Sequence, residues 1–254
     1  MNCLRIDDKE FFGASEWSEL TGEQVRKIFA IDFMKPLHIV RLSLVAVIYE
    51  LKLKRLLAIN ERELPKLDAL FEFVLKEEKL FKNPLPVLRM GGLELYGPAD
   101  NLENLTFGEW IFLDAYFTRY YQRKEPADLD MLIAVLWRES KRPQEMALPD
   151  YNNDRRVIFN KYLVERRLPI AKHLPPADKK SILHFVSSAR QLVVMRNPEV
   201  FMEPKAAGVA ATGTGAAWID VLLTIAGGKF GTVQQTEEAM LTEVMFELKR
   251  MMKK

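Results

Sequence analysis

The sequence predicts a mainly α protein: a multi-helix, bundle-like domain with one small β-hairpin. Three observations predict it. Apolar residues recur at i, i+3, i+4 and i+7 in segment after segment, each bounded by proline or glycine. Strand and helix patterns do not alternate, so a parallel α/β sheet is not expected. Only residues 86–98 read as paired strands.

Composition narrows the classes. The chain has 254 residues, 48% hydrophobic and 28% charged, with a net charge of +2. That is ordinary globular composition and ample for a packed core, and a balance so near neutral does not by itself imply nucleic acid. One cysteine, Cys3, rules out an intramolecular disulfide framework and fits a reducing compartment. The start, Met1 to Asp8, lacks the basic-then-apolar order of a signal peptide. The longest candidate span, Leu42 to Tyr49, is too short for a membrane crossing and is flanked by Arg41 and Glu50.

Taken in order, residues 1–22 are mixed, and Asp7, Asp8 and Glu10 suggest a solvated acidic arm. Val25, Ile28, Phe29 and Phe33 predict a short helix over 23–34, which Pro36 ends. Leu37 to Ile59 is the longest helical pattern, with Lys52, Lys54 and Arg55 in its last turns, where the helix dipole prefers cations. Pro65 can open the next helix at its first position, with Leu67, Leu70, Phe71, Val74 and Leu75 as its stripe. Val87 to Met90, Gly91-Gly92, then Leu93 to Tyr96 read as a hairpin with a two-glycine turn.

The next helix start is the most fully specified in the chain. Thr106 followed three residues later by Glu109 is a capping box. Leu105 and Trp110 stand where a hydrophobic staple would form. Gly108 costs helix stability, about 1 kcal/mol relative to alanine, which points to close packing there. Trp110, Leu113, Phe117 and Tyr120 form the core stripe. Phe112, Tyr116 and Tyr121 lie off it and are the candidate partner contacts, because apolar residues on more than one helix face call for a second neighbour, either the hairpin at 87–96 or a partner.

Pro126 opens a further helix with Leu129, Leu132, Ile133, Leu136 and Trp137 inward, and residues 140–153 read as a loop. Residues 154–168 carry helical spacing. On such a helix Arg155, Arg156, Arg166 and Arg167 share one sector and form a candidate basic face for phosphate or an acidic partner. Asp178 can cap a helix that runs to Arg196. Residues 204–215, rich in Ala, Gly and Thr, read as a flexible loop or linker. A helix around Trp218, Val221, Leu222 and Ile225 stops at Gly227-Gly228. A last helix starts near Thr236 and ends with Lys249, Arg250, Lys253 and Lys254. The expected organisation is a main helical domain over 1–203, the linker at 204–215, and a C-terminal helical hairpin over 216–254.

No pattern for catalysis emerges. Gly213-Thr214-Gly215 lacks the third glycine and the preceding strand of a dinucleotide loop. His38, His173 and His184 have no ligand spacing, and the Ser181–His184 pair is a common coincidence on a helix. Glu109 and Asp114 sit about 140° apart around a helix and do not converge. No catalytic residue, cofactor or metal site is expected.

Gly91-Gly92-Leu93-Glu94-Leu95-Tyr96-Gly97-Pro98, then Asn104-Leu105-Thr106-Phe107-Gly108-Glu109-Trp110, resembles a segment of poorly characterised proteins of bacteriophages and prophages of Bacteroidetes-type hosts. The Trp218 helix followed by Lys229-Phe230-Gly231-Thr232 is similar to that group as well. The resemblance spans about residues 80–250. It implies a structural or tail-assembly role, with other phage structural proteins as partners, an oligomer or larger assembly, and a place in the host cytoplasm during assembly or in the virion. It carries no catalytic residue. The alternative from the residues alone is a helical nucleic-acid-binding protein using the arginine face.

Overall fold

The structure, a computed structural model, describes every residue except 7, 58, 60, 77, 78, 91, 150, 202–214 and 253–254, with backbone only at 61, 90, 215 and 216. Its elements in order are β1 (Asn2–Ile6), β2 (Lys9–Gly13), α1 (Gly22–Phe29), α2 (Leu37–Ile48), α3 (Leu53–Leu56), α4 (Glu72–Lys76), β3 (Val87–Met90), β4 (Leu93–Tyr96), α5 (Phe107–Arg123), α6 (Pro126–Leu136), α7 (Pro143–Met146), α8 (Val164–His173), α9 (Pro176–Arg196), α10 (Pro198–Phe201), α11 (Gly215–Ile225), α12 (Val233–Glu238) and α13 (Leu241–Met252). A mainly α fold with the expected hairpin is what forms.

Contacts group the chain into two compact units: residues 1–84 with 175–189, and residues 85–174 with 190–254. The sequence had suggested a different division, with 216–254 set apart beyond a linker. The linker itself lies almost wholly outside the described residues. Trp218, however, is fully buried and packs edge-on against Phe107 and Trp110 of α5. Its helix is therefore part of the core of the second unit.

In the first unit, the expected acidic arm is instead a hairpin. β1 and β2 pair antiparallel, with Leu4 opposite Phe11. Asp8 takes a positive φ of 59° in the turn, a conformation that aspartate tolerates well. Alternation along Asn2 to Ile6 turns Leu4 and Ile6 toward the less exposed side. α1 starts at an unforeseen capping box, Thr21 with Gln24. The long helix expected over 37–59 stops at Ile48. Glu50 turns left-handed (φ 53°), while Leu51 N–H reaches Ala46 O and Glu50 N–H reaches Val47 O, closing the helix in a Schellman motif without glycine. Pro65 lies inside a 3-10 segment, Glu61–Leu70, rather than at the start of an α-helix. Trp17 is buried beside Phe29, Phe73 and His184. Arg26 binds Asp178 in the first turn of α9.

The second unit is built on α5 and α6. α6 is buried nearly all round, from Leu129 to Leu136, and packs against both α5 and α8. The predicted hairpin forms with Val87 opposite Tyr96 and Met90 opposite Leu93; Gly91 of its turn is outside the described residues. A lone hairpin is marginal in water, and this one is not alone. Tyr96 and Arg138 exchange backbone bonds of 2.6 and 3.0 Å, and residues 139 and 141 pair with 157 and 155. The hairpin is thus extended by two isolated antiparallel bridges, Tyr96–Arg138 and Ser140–Arg156.

That pairing overturns the helix expected over 154–168. Residues 151–160 are not helical, and α8 begins only at Val164. The cause is local: Asp154 Oδ1 accepts from Arg156 N–H, Asn152 Oδ1 from Asp154 N–H, and Asn160 Oδ1 from Tyr162 N–H. Such side-chain bonds compete directly with helical ones. The expected last helix also splits. α12 is capped by Thr232 and Gln235, and Ala239 is extended, so that Met240 bridges Thr106.

Candidate interaction surface and the buried charge cluster

The start of α5 is held as the sequence predicts and then more tightly. Thr106 Oγ1 accepts from Glu109 N–H at 3.3 Å, and Glu109 Oε2 accepts from Thr106 N–H at 3.0 Å. The passing segment at 239–241 adds two bonds, Phe107 N–H to Ala239 O and Leu241 N–H to Leu105 O, each 2.9 Å. A Cβ on Gly108 would sit 3.1 Å from Glu237 O, so close packing is indeed what this glycine serves.

Glu109 does more than cap. It is fully buried and its second oxygen, Oε1, faces two guanidiniums, Arg156 Nη1 at 2.9 Å and Arg138 Nη2 at 3.0 Å. Arg156 also binds Asp154 through Nη2 at 2.9 Å, Asn104 O through Nη2 at 2.9 Å and Leu136 O through Nη1 at 3.2 Å. It joins the loop before α5, the end of α6 and the 154–156 segment. Arg138 is less well served: its Nε and Nη1 find no hydrogen-bond partner. Burial is the main reason its pKa falls to about 10, with Glu109 opposing that fall and Arg156 adding to it. At Asp154 burial pushes the pKa up, but the hydrogen bonds and charge of Arg156 outweigh it and hold the carboxyl below its usual range.

The predicted arginine face does not exist as a face. Arg156 and Arg167 are each 1% exposed; Arg167 is bound to Glu139 through Nε at 2.8 Å. Only Arg155 and Arg166 are exposed, and Arg155 lies over the Tyr96 ring at 4.5 Å. The shared sector required an unbroken helix, and the chain is extended at Arg155 and Arg156. A continuous phosphate-binding stripe therefore cannot form from these four residues.

Along α5 the burial changes midway. Phe107 to Asp114, except Phe112, is buried, whereas Phe112 and residues 115–118 are half-buried and Tyr121 is 43% exposed. Phe112 is covered by Phe159 at 5.4 Å, a residue of the extended segment and not of the hairpin. Tyr116 stacks loosely on Phe112 and carries Arg119 over its ring at 4.7 Å. Tyr121 packs on Phe117 at 4.6 Å. Of the three predicted contact residues, Tyr121 is thus the most open and Phe112 is largely accounted for within the chain.

Two of the cations beside these rings are paired. Arg119 Nε binds Asp128 Oδ1 at 2.8 Å, and Arg190 Nε binds Asp114 Oδ1 at 2.7 Å. Asp114 also accepts from Trp218 Nε1 at 2.9 Å. Glu109 and Asp114 therefore serve separate clusters, as their angular separation required. Asp114, Arg138 and Asp154 were not anticipated as site residues. The one hint was an acid at 114 amid aromatic residues, with no charge partner nearby in the chain.

Among the described residues no group of three histidine, cysteine or acidic side chains is placed to hold a metal ion, and no helix is long and apolar enough to cross a membrane. No protein-family model, characterised protein or solved structure matches the chain.

Proposed function

We propose that this chain is a non-enzymatic bacteriophage structural or tail-assembly protein that works through protein–protein contacts. One observation carries the reading: the second half of α5 leaves Tyr116, Phe117 and Tyr120 half-buried, the last two against their expected place in the core, and Tyr121 exposed, with the adjacent Arg119 and Arg190 already neutralised by buried aspartates. Half-exposed tyrosines with arginine are the side chains that dominate protein interfaces. The resemblance of residues 80–250 to phage proteins supports the assembly context. The nucleic-acid alternative keeps only Arg155 and Arg166 of its four arginines at the surface, too few for a phosphate-tracking stripe.

Two measurements test the proposal. Light scattering on the purified chain should give a mass above the monomer, or an identified tail or capsid protein should co-purify when the neighbouring phage genes are expressed together. The double change Tyr116→Ser with Tyr121→Ser should weaken that association about tenfold or more and leave the far-UV spectrum intact. A strictly monomeric chain from which no tail or capsid protein co-purifies would end the reading.

A further inference from the structure

Resting on that contact reading, we infer that the C-terminal end of α5 is a docking surface for an acidic, aliphatic segment of a partner protein. Phe117, Tyr121 and Lys124 stand at i, i+4 and i+7 and share one side of the helix end. Lys124 Nζ lies 4.2 Å from the Tyr121 ring centre and 5.6 Å from that of Tyr120. Tyr120 meets Tyr121 edge-on at 5.9 Å. Lys124 closes the helix in the left-handed conformation, φ 57°, where glycine is the usual residue. That backbone turn accompanies a lysine folded back over two rings, which leaves a compact cationic and aromatic cap.

Charge selects the partner. Arg119 and Arg190 are compensated by Asp128 and Asp114, but Arg123 and Lys124 are paired with no carboxylate among the described residues. The helix dipole favours cations at this end, yet the dipole alone asks for no exposed tyrosine. A partner carboxylate reaching Arg123 and Lys124, with an aliphatic side chain on the edge of Tyr121, would satisfy both features. Nucleic acid fits less well. Phe117 and Lys124 both pack on the Tyr121 ring, so a stacking base would have to displace one of them, and exposed Glu125 follows the two cations directly.

The test titrates the full chain, labelled at its tyrosine rings, with an acetylated and amidated peptide of alternating Glu and Leu. The controls are the same peptide with Lys for Glu and a thymidine decanucleotide. The ring signals of Tyr120 and Tyr121 should shift saturably with the acidic peptide only. Arg123→Glu with Lys124→Glu should weaken that binding about tenfold or more without changing the far-UV spectrum. An equal response to the basic peptide or the decanucleotide, no saturable shift, or indifference to charge reversal would overturn the inference. If Tyr116→Ser with Tyr121→Ser still abolishes co-purification while charge reversal does nothing, the contact reading stands and only the acidic partner falls.

Discussion

Arg156 shows how differently one residue type can behave at neighbouring positions. Arg155 points out over Tyr96 while Arg156, one residue on, is buried among Glu109, Asp154, Leu136 O and Asn104 O. Alternation along an extended segment produces this split. Burying the guanidinium is costly, and only the full set of partners compensates it. Arg156→Ala leaves Glu109 and Asp154 with Arg138 alone between them, at 3.0 and 3.7 Å, and removes the donors that Arg156 supplies to both. The expected loss is about 3–5 kcal/mol at pH 7, read as a drop in the urea midpoint. The pH dependence follows from Asp154. Its folded pKa is held below the ordinary 3.8, so its contribution is present above that value and is lost as pH falls through the folded pKa. The gap between wild type and Arg156→Ala should therefore narrow below about pH 4; a gap that stays constant down to acid unfolding would show that Asp154 does not carry this term.

At the scale of elements, helix ends decide more than helix bodies. α5 begins with a capping box and an antiparallel bridge to Met240, and Thr106 serves both. Thr106→Ala should cost about 1 kcal/mol, the usual loss for a threonine cap. A midpoint unchanged within error would mean that the Ala239 and Leu241 backbone bonds hold the start by themselves. α2 shows the converse: its apolar pattern continues past Ile48, yet the chain turns at Glu50 without a glycine to announce it. At α11, by contrast, Gly227 takes a positive φ of 85° where the sequence places the stop. Caps that use side chains are visible in the sequence, whereas a left-handed glutamate is not, because nothing in its chemistry prefers that conformation.

At the scale of the whole molecule, the C-terminal helices belong to a core. Phe107, Trp110, Phe201 and Trp218 meet edge to face with centroids 5.5–6.0 Å apart, a favoured aromatic geometry. A chain ended at residue 203 loses Trp218, and with it the indole donor to buried Asp114. That truncation should lose the near-UV signal of the remaining tryptophans and bind a hydrophobic dye, because removing such a side chain alone costs about 3–5 kcal/mol. A truncated chain that keeps a native near-UV spectrum would instead make 216–254 a separable module.

The helical class, the hairpin at 87–96, the start of α5 and the stop of α11 could be read from the sequence by itself. Each rests on interactions among residues close in the chain: a 3.6-residue period, a glycine turn, a threonine with a glutamate three positions on. Tyr116 and Tyr121 were legible as residues off the core stripe, whereas the stripe placed Phe117 and Tyr120 in the core and the structure leaves both half-buried; Phe112 and Tyr121 could not be told apart until Phe159 was seen against one and solvent against the other. Tertiary structure decided the burial of Arg156 and Arg167 and the place of Trp218, although the side-chain bonds of Asn152, Asp154 and Asn160 that break the expected helix are local. Whether an arginine is a surface charge or a buried hub depends on acceptors 20–52 residues away in the chain, and local periodicity holds no information about distant acceptors.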